Sequence, residues 1–179
     1  MLHDPKLIDL LSALPTQSFA GQVFRATRRN LDPTTASISG GRWAAPDGPS
    51  VLYTSLKREG ALAEIAFHWG QFTPRPAKPA LVHTLGVRSN QTLRLIRSDL
   101  STLGVEDSQY EVSNYARTRQ IGAVVAFIGC DGLIVPSARW ECENLILFTD
   151  NIAMNIELEV LHTEEVNWQE WAKSVGRLE

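Results

Sequence analysis

Apolar residues recur at helical spacing at Leu7, Leu10, Leu11 and Leu14, behind an Asp4-Pro5 pair. Aspartate accepts bonds from the free N–H groups of a first helical turn, and proline fits the first position because its missing N–H would be unpaired there. The pattern predicts an amphipathic helix over residues 5–14, ended by Pro15. Short strands are predicted over 23–26 and 51–54. Leu62, Ile65, Ala66 and Trp69 then share one face of a second helix, for which Ser55 is the predicted cap. Pro74, Pro76 and Pro79 interrupt the pattern. Strands at 81–87 and 92–96 lead to the longest predicted helix, 109–128, which becomes apolar toward Val124, Val125, Phe127 and Ile128. Asp131-Gly132 reads as a turn into a buried strand at 133–135. Strands at 145–148 and 156–161 and an amphipathic helix at 164–174, carrying Trp168 and Trp171, complete the chain.

Helices and strands alternate here without a regular βαβ beat, which predicts an α+β domain built on a mixed sheet rather than a doubly wound fold. The 179 residues fit one domain. Residues 30–49 form a long stretch rich in Gly, Pro, Ser, Thr and Asp; a loop of that length inside a compact domain is usually functional or disordered. Gly40-Gly41-Arg42-Trp43 within it is not a disordered composition. The chain has no GxGxxG after its first strand and no GxxxxGK[ST], so neither common phosphate-cradling loop is supported.

Charge narrows the function classes. A net charge of −3 argues against a nucleic-acid binder despite local basic groups at Arg25, Arg28, Arg29, Lys57 and Arg58. No stretch approaches membrane-spanning length and no basic-then-apolar leader is visible, so a cytoplasmic protein is expected. Cys130 and Cys142 form no CxxC, and His3, His68, His83 and His162 show no metal spacing; reduced thiols and no metal site are expected.

Glu64 draws the most attention among chemical candidates, because it lies in Ala61-Leu62-Ala63-Glu64-Ile65-Ala66-Phe67-His68-Trp69. A carboxylate amid that much apolar surface is either an exposed residue at the border of the buried face, in i,i+4 contact with His68, or a member of a pocket. Arg42 follows paired glycines that allow close approach of a ligand, and arginine forks suit phosphate or carboxylate; an ordinary surface arginine is the plainer alternative. Arg25 is either a second phosphate clamp or an edge-strand charge. Tyr53 reads as a core or half-exposed strand tyrosine, Ser137 as a turn former at a strand end, and Asn144 as a local backbone binder.

Together these stretches resemble the RES domain, a family named for an arginine, a glutamate and a serine. The resemblance rests on Phe24-Arg25, Gly40-Gly41-Arg42-Trp43, Val51-Leu52-Tyr53-Thr54, Ala61-Leu62-Ala63-Glu64, and Gly132-Leu133-Ile134-Val135-Pro136-Ser137-Ala138-Arg139-Trp140 running on through Glu143-Asn144-Leu145 to Phe148. It covers about residues 20–150, and Tyr53 and Glu64 follow Arg42 at equal steps. Ala44-Ala45 departs from the pattern after the GGRW signature, which bears on the loop and not on the arginine.

The resemblance implies an ADP-ribosyltransferase-like mixed sheet with a cleft for NAD+. It implies a toxin that destroys NAD+ by phosphorolysis or hydrolysis, with NAD+ as substrate, inorganic phosphate as co-substrate and no resident cofactor. It also implies an Xre-like antitoxin that covers the cleft in a toxin–antitoxin hetero-oligomer. Glu64, Arg42 and Ser137 are then the expected catalytic residues, and Arg25, Arg42, Tyr53, Ser137 and Asn144 the expected NAD+-binding ones. Two rivals remain open at this point: a protein ADP-ribosyltransferase using the same cleft, and a non-catalytic nucleotide- or protein-binding module.

Overall fold

A computed structural model of the protein describes residues 3–37, 39–112, 114–152 and 157–179. Helix α1 (Pro5–Ser12) opens on Asp4, whose carboxylate accepts from Lys6 N at 3.0 Å, and buries Leu7 and Leu11. The first strand, β1 (Thr16–Thr27), starts well before the predicted 23–26. Its first half is exposed and shows no burial alternation, so only its backbone pairing with β3 (Ala80–Arg94) defines it, from Thr16 opposite Leu93 to Thr27 opposite Leu81.

β3 itself joins the two strands predicted at 81–87 and 92–96, with Leu95 and Ile96 left outside. The polar run Arg88-Ser89-Asn90-Gln91 suggests a break, yet the chain stays extended through it. The buried Asp131 carboxylate accepts from Asn90 N at 2.7 Å and Gln91 N at 2.9 Å, and the buried hydroxyls of Ser89 and Thr92 bond each other. Side chains thus satisfy polar groups that a turn would otherwise expose.

The remaining strands are β2 (Val51–Ser55), β4 (Gly132–Pro136), β5 (Glu143–Phe148) and β6 (Leu158–Val166). Residue 156 of the strand predicted at 156–161 lies outside the described residues. β6 takes 164–166 from the predicted terminal helix because Glu164, Glu165 and Val166 pair with β3. Helix α5 (Trp168–Ser174) therefore begins only after Asn167, whose side chain accepts from Glu170 N.

Helix α2 (Arg58–Gly70) is preceded by Lys57, which makes no side-chain cap; Ser55, the predicted cap, ends β2 instead. A short α3 (Arg97–Thr102) was not legible in the pattern. The long helix predicted at 109–128 is replaced by a 3-10 turn at Asp107–Gln109, an irregular segment, and α4 (Ala116–Phe127), leaving α2 the longest helix among the described residues. The cause is Tyr110, which is buried and donates its hydroxyl to Pro136 O at 2.6 Å, pulling the segment onto the end of β4.

The sheet nearly closes on itself. It runs β1-β3-β4-β5-β2, and Phe24 opposite Ser55 returns β2 to β1, while β6 flanks β3. Only β3 and β4 run parallel. All five strands of the ring contribute to one enclosed cluster, with Val23, Leu52, Leu85, Ile134 and Leu147 among its members. The opposite faces of β2, β4 and β5 give Val51, Leu133, Val135, Ile146 and Phe148 to a second cluster shared with α1, α4 and Trp43. Burial on both faces is why these strands read as unbroken apolar runs. α2 and α5 meet through Ile65, Ala66, Trp168 and Ala172. No helix among the described residues is long and apolar enough to cross a membrane.

The loop preceding β2 is pressed against α4 at Gly122, where an added Cβ would stand 1.9 Å from Trp43 O. Gly122→Ala is expected to cost about 1–3 kcal/mol by overpacking, read as a lower melting temperature. Gly70→Ala is the control: the nearest atom is 3.8 Å away, and stability is expected to hold or rise.

Candidate active site

A cleft of about 490 Å³ opens where α2 and the 28–50 loop meet the ends of β1, β2 and β5. Four arginines line it (Arg25, Arg28, Arg42 and Arg139), and Glu64 is its only lining carboxylate among the described residues. Such a surface suits an anionic ligand with a cationic reacting centre.

Glu64 reaches the cleft because α2 is made of small residues where it crosses the sheet. Gly60, Ala61 and Ala63 are buried, and a Cβ at Gly60 would lie 2.1 Å from Ser55 Oγ. The helix can therefore sit low over the ends of β2 and β5, and Glu64 meets Asn144. Asn144 Nδ2 donates to Glu64 Oε1 at 3.3 Å, and His68 Nε2 stands 4.0 Å from Glu64 Oε2. Glu64 keeps 35% of its side chain exposed, so both sequence readings hold in part: it contacts His68 one turn away, and it faces a pocket. Desolvation lowers the His68 pKa from its ordinary value, against the opposing pull of Glu64.

Arg42 is carried by a strapped loop. Gly40 has φ +69°, a backbone region costly for residues with a Cβ, and a Cβ on Gly41 would lie 2.6 Å from Tyr53 Oη. Tyr53 Oη accepts from Trp43 N at 3.1 Å, Thr118 Oγ1 donates to Arg42 O at 2.7 Å, and Arg119 Nε donates to Gly41 O at 2.8 Å. The Arg42 guanidinium then lies between two rings, 4.8 Å from the centre of Tyr110 and 4.7 Å from that of Tyr115. Arg97 covers Tyr110 and Arg119 approaches Tyr115, which extends the stack to alternating cations and rings. Aromatic faces attract the cation without neutralising it. Arg42 Nη1 is buried with no hydrogen-bond partner among the described residues. Burial is the main influence lowering the Arg42 pKa, opposed by the two tyrosines. Burial also raises the hydroxyls of Tyr53 and Tyr110 to about 12, so both are neutral at pH 7.

The cleft collects most, not all, of the expected residues. Arg25, Arg42, Tyr53, Glu64 and Asn144 line it. Arg25 also pins the loop, because its Nη1 donates to Pro33 O at 2.9 Å and Thr35 O at 2.7 Å. Asn144 is not the local backbone binder suggested by its sequence context: it holds Glu64, and its Oδ1 is buried without a partner among the described residues.

Ser137 stands behind the wall. It is buried, and its Oγ accepts from Arg139 N at 3.1 Å and Trp140 N at 3.3 Å, while its neighbours Pro136, Ala138 and Arg139 line the cleft. It forms the turn that presents Arg139.

Tyr110, Tyr115 and Arg139 are lining residues that sequence reasoning missed. Arg139 stands in the quoted Ser137-Ala138-Arg139-Trp140 stretch, where a second cation near the strand end was a usable signal. The tyrosines fall inside what reads as one continuous helix, which conceals them. Among the described residues, no group of three His, Cys, Asp or Glu side chains is placed to hold a metal ion.

The family model of the RES domain matches residues 14–169. Among solved structures, the chain is similar to the M. tuberculosis MbcT-MbcA toxin-antitoxin complex, with a TM-score of 0.81, 16% identity, and coverage of 95% of this chain and 97% of that one. At that identity the likeness bears on the fold. No curated protein matches the chain.

Removing the Tyr53 hydroxyl leaves the Trp43 N–H without its acceptor. Tyr53→Phe is expected to lose about 1–2 kcal/mol in a urea denaturation curve, with the sheet's circular dichroism unchanged.

Proposed function

The chain belongs to the RES-domain family, and on that premise we propose that it is the toxin of a toxin–antitoxin pair and that it breaks the nicotinamide–ribose bond of NAD+. The observation that carries the reading is that Glu64, the one lining carboxylate among the described residues, is set among arginines in one cleft.

Nicotinamide departs from NAD+ as a neutral molecule, because the pair of electrons in the C–N bond discharges the ring nitrogen. No general acid is needed at the leaving group. What develops instead is positive charge on the ribose, as in glycoside cleavage. A carboxylate fixed beside that carbon stabilises the charge most when water is scarce and no cation competes for it. Glu64 meets the second condition among the described residues: its partners there are the Asn144 amide and the His68 imidazole, and no arginine pairs with it.

Arg25 and Arg42 supply charge for the diphosphate or for an incoming anion. Tyr53, neutral and half-buried, offers a ring face to the nicotinamide or ribose. Asn144 orients Glu64, and Ser137 acts through Arg139. The acceptor is phosphate or water, giving ADP-ribose phosphate or ADP-ribose. The similar solved structure is of a toxin-antitoxin complex, which supports an antitoxin partner here; an Xre-like protein covering the cleft is the partner the family suggests.

The test separates binding from chemistry. Glu64→Gln keeps the size and loses the charge, so NAD+ turnover should fall about 10²–10³-fold while NAD+ affinity, read by calorimetry, changes only a few-fold. Expression of the wild-type chain should arrest growth and the variant should not. Wild-type turnover in Glu64→Gln would contradict the electrostatic role. Mass added to a protein acceptor, in place of free ADP-ribose products, would instead identify a transferase.

A further inference from the structure

Three neighbouring strands meet through one histidine that the chemistry proposed for the cleft does not use. His83 stands on β3, directly opposite Arg25 of β1 and Thr163 of β6, and only 4% of it is exposed. Both ring nitrogens are engaged: Nε2 bonds Thr27 Oγ1 at 2.9 Å and Nδ1 bonds Thr163 Oγ1 at 2.8 Å. A neutral imidazole donates from one nitrogen and accepts at the other. The burial of the two hydroxyls decides which is which. Thr27 is buried, and among the described residues its hydroxyl has no other partner, so its proton goes to Nε2. Nδ1–H then donates to Thr163, which is exposed and passes its own proton to water. In this tautomer every donor in the row has an acceptor.

Protonation of the ring breaks that row twice. Nε2 gains a hydrogen and stops accepting, which leaves the buried Thr27 proton without an acceptor. A second positive charge also appears straight across from Arg25, and like charges opposite each other on paired strands repel. The charged groups around the ring are Arg25 on β1, Asp32 in the loop that follows, and, two residues past Thr163 on β6, Glu165, which is tied to Arg29. The Asp32 carboxylate is exposed and already accepts from Thr34 N at 2.8 Å and Thr34 Oγ1 at 2.7 Å. Solvent therefore screens much of what it could offset. Burial, with Arg25 beside it, lowers the His83 pKa, and Asp32 opposes them.

The wall of the cleft depends on Arg25. Its Nη1 donates to Pro33 O at 2.9 Å and Thr35 O at 2.7 Å, which holds the loop after β1 down, and Thr27, Arg28 and Leu31 line the cleft beside it. We propose that His83 is a pH-sensitive latch on this wall. As a neutral imidazole it seats Thr27 and tolerates Arg25; as an imidazolium it displaces Arg25 and frees residues 28–36 from β1. The latch operates whatever ligand the cleft takes. Linkage fixes its sign. The closed form binds fewer protons than the open one, so closure is complete above the ordinary histidine pKa of about 6.5. It weakens as the pH falls through that value, and opening rises by up to about tenfold per pH unit until the closed form is itself protonated.

Hydrogen–deuterium exchange of the full chain, followed by mass spectrometry from about pH 8 to about pH 5 and corrected for the intrinsic rate at each pH, tests this. Wild-type peptides from 28–36 are expected to lose protection about tenfold across the range, while peptides from 132–136 keep theirs. His83→Gln still offers one donor and one acceptor but does not titrate there, so its loop should be equally protected at both ends. His83→Asn is the second non-titrating variant should glutamine disturb folding. The wild type also gives a reading that needs no variant: the Cε1–H resonance of His83 should titrate with the same midpoint as the loss of protection. Constant protection of 28–36 across the range overturns the latch. So does a pH dependence that survives in the non-titrating variant, or a loss shared equally by 132–136, which reports unfolding of the whole chain.

Discussion

A guanidinium and a carboxylate share one cleft here without neutralising each other, and the rest of the molecule is arranged around that constraint. Among the described residues the two form no salt bridge, and each is held by uncharged groups. Tyr110 and Tyr115 hold the Arg42 guanidinium against their rings, and Asn144 holds the carboxylate from β5. Neither holder carries charge, so neither field is cancelled. A buried N–H of Arg42 without a partner among the described residues is the cost of this arrangement.

The fold keeps the two groups in place from different directions. Arg42 belongs to a loop tied to α4 through Thr118 and Arg119 and seated against Gly122. Glu64 belongs to a helix seated low on the sheet through Gly60 and its alanine neighbours. Each placement depends on a residue with no side chain, and an added methyl group would force a shift at either. The nearly closed sheet between them, buried on both faces at β2, β4 and β5, supplies the rigid base. Positioning of this accuracy is what electrostatic stabilisation of a developing charge requires.

Much of this was legible in the sequence, for physical reasons that also explain the failures. The buried strands announced themselves as apolar runs, and α1 by its cap and spacing. Glu64 stood out because a carboxylate is conspicuous on an apolar helix. The first half of β1 was invisible because its side chains face solvent and its identity lies in backbone pairing with a distant strand. β3 looked broken at Ser89-Asn90-Gln91 because the compensating carboxylate, Asp131, comes from far along the chain. The same non-locality hid the partners of Arg42. Tyr110 and Tyr115 sit in a segment that reads as one continuous helix, and Tyr110 is drawn instead to Pro136 at the end of β4. Ser137 illustrates the reverse case, since its plainer reading as a turn former describes its hydrogen bonds.

The proposed function turns on where the sugar of NAD+ would lie in the cleft. A crystal structure of the Glu64→Gln protein soaked with NAD+ addresses this, because the substitution preserves shape while sparing the ligand. The account predicts the anomeric carbon of the nicotinamide ribose against residue 64, at about van der Waals distance, with the diphosphate toward Arg25. A dinucleotide bound with that carbon outside the cleft, or with its adenosine end at residue 64, would contradict it.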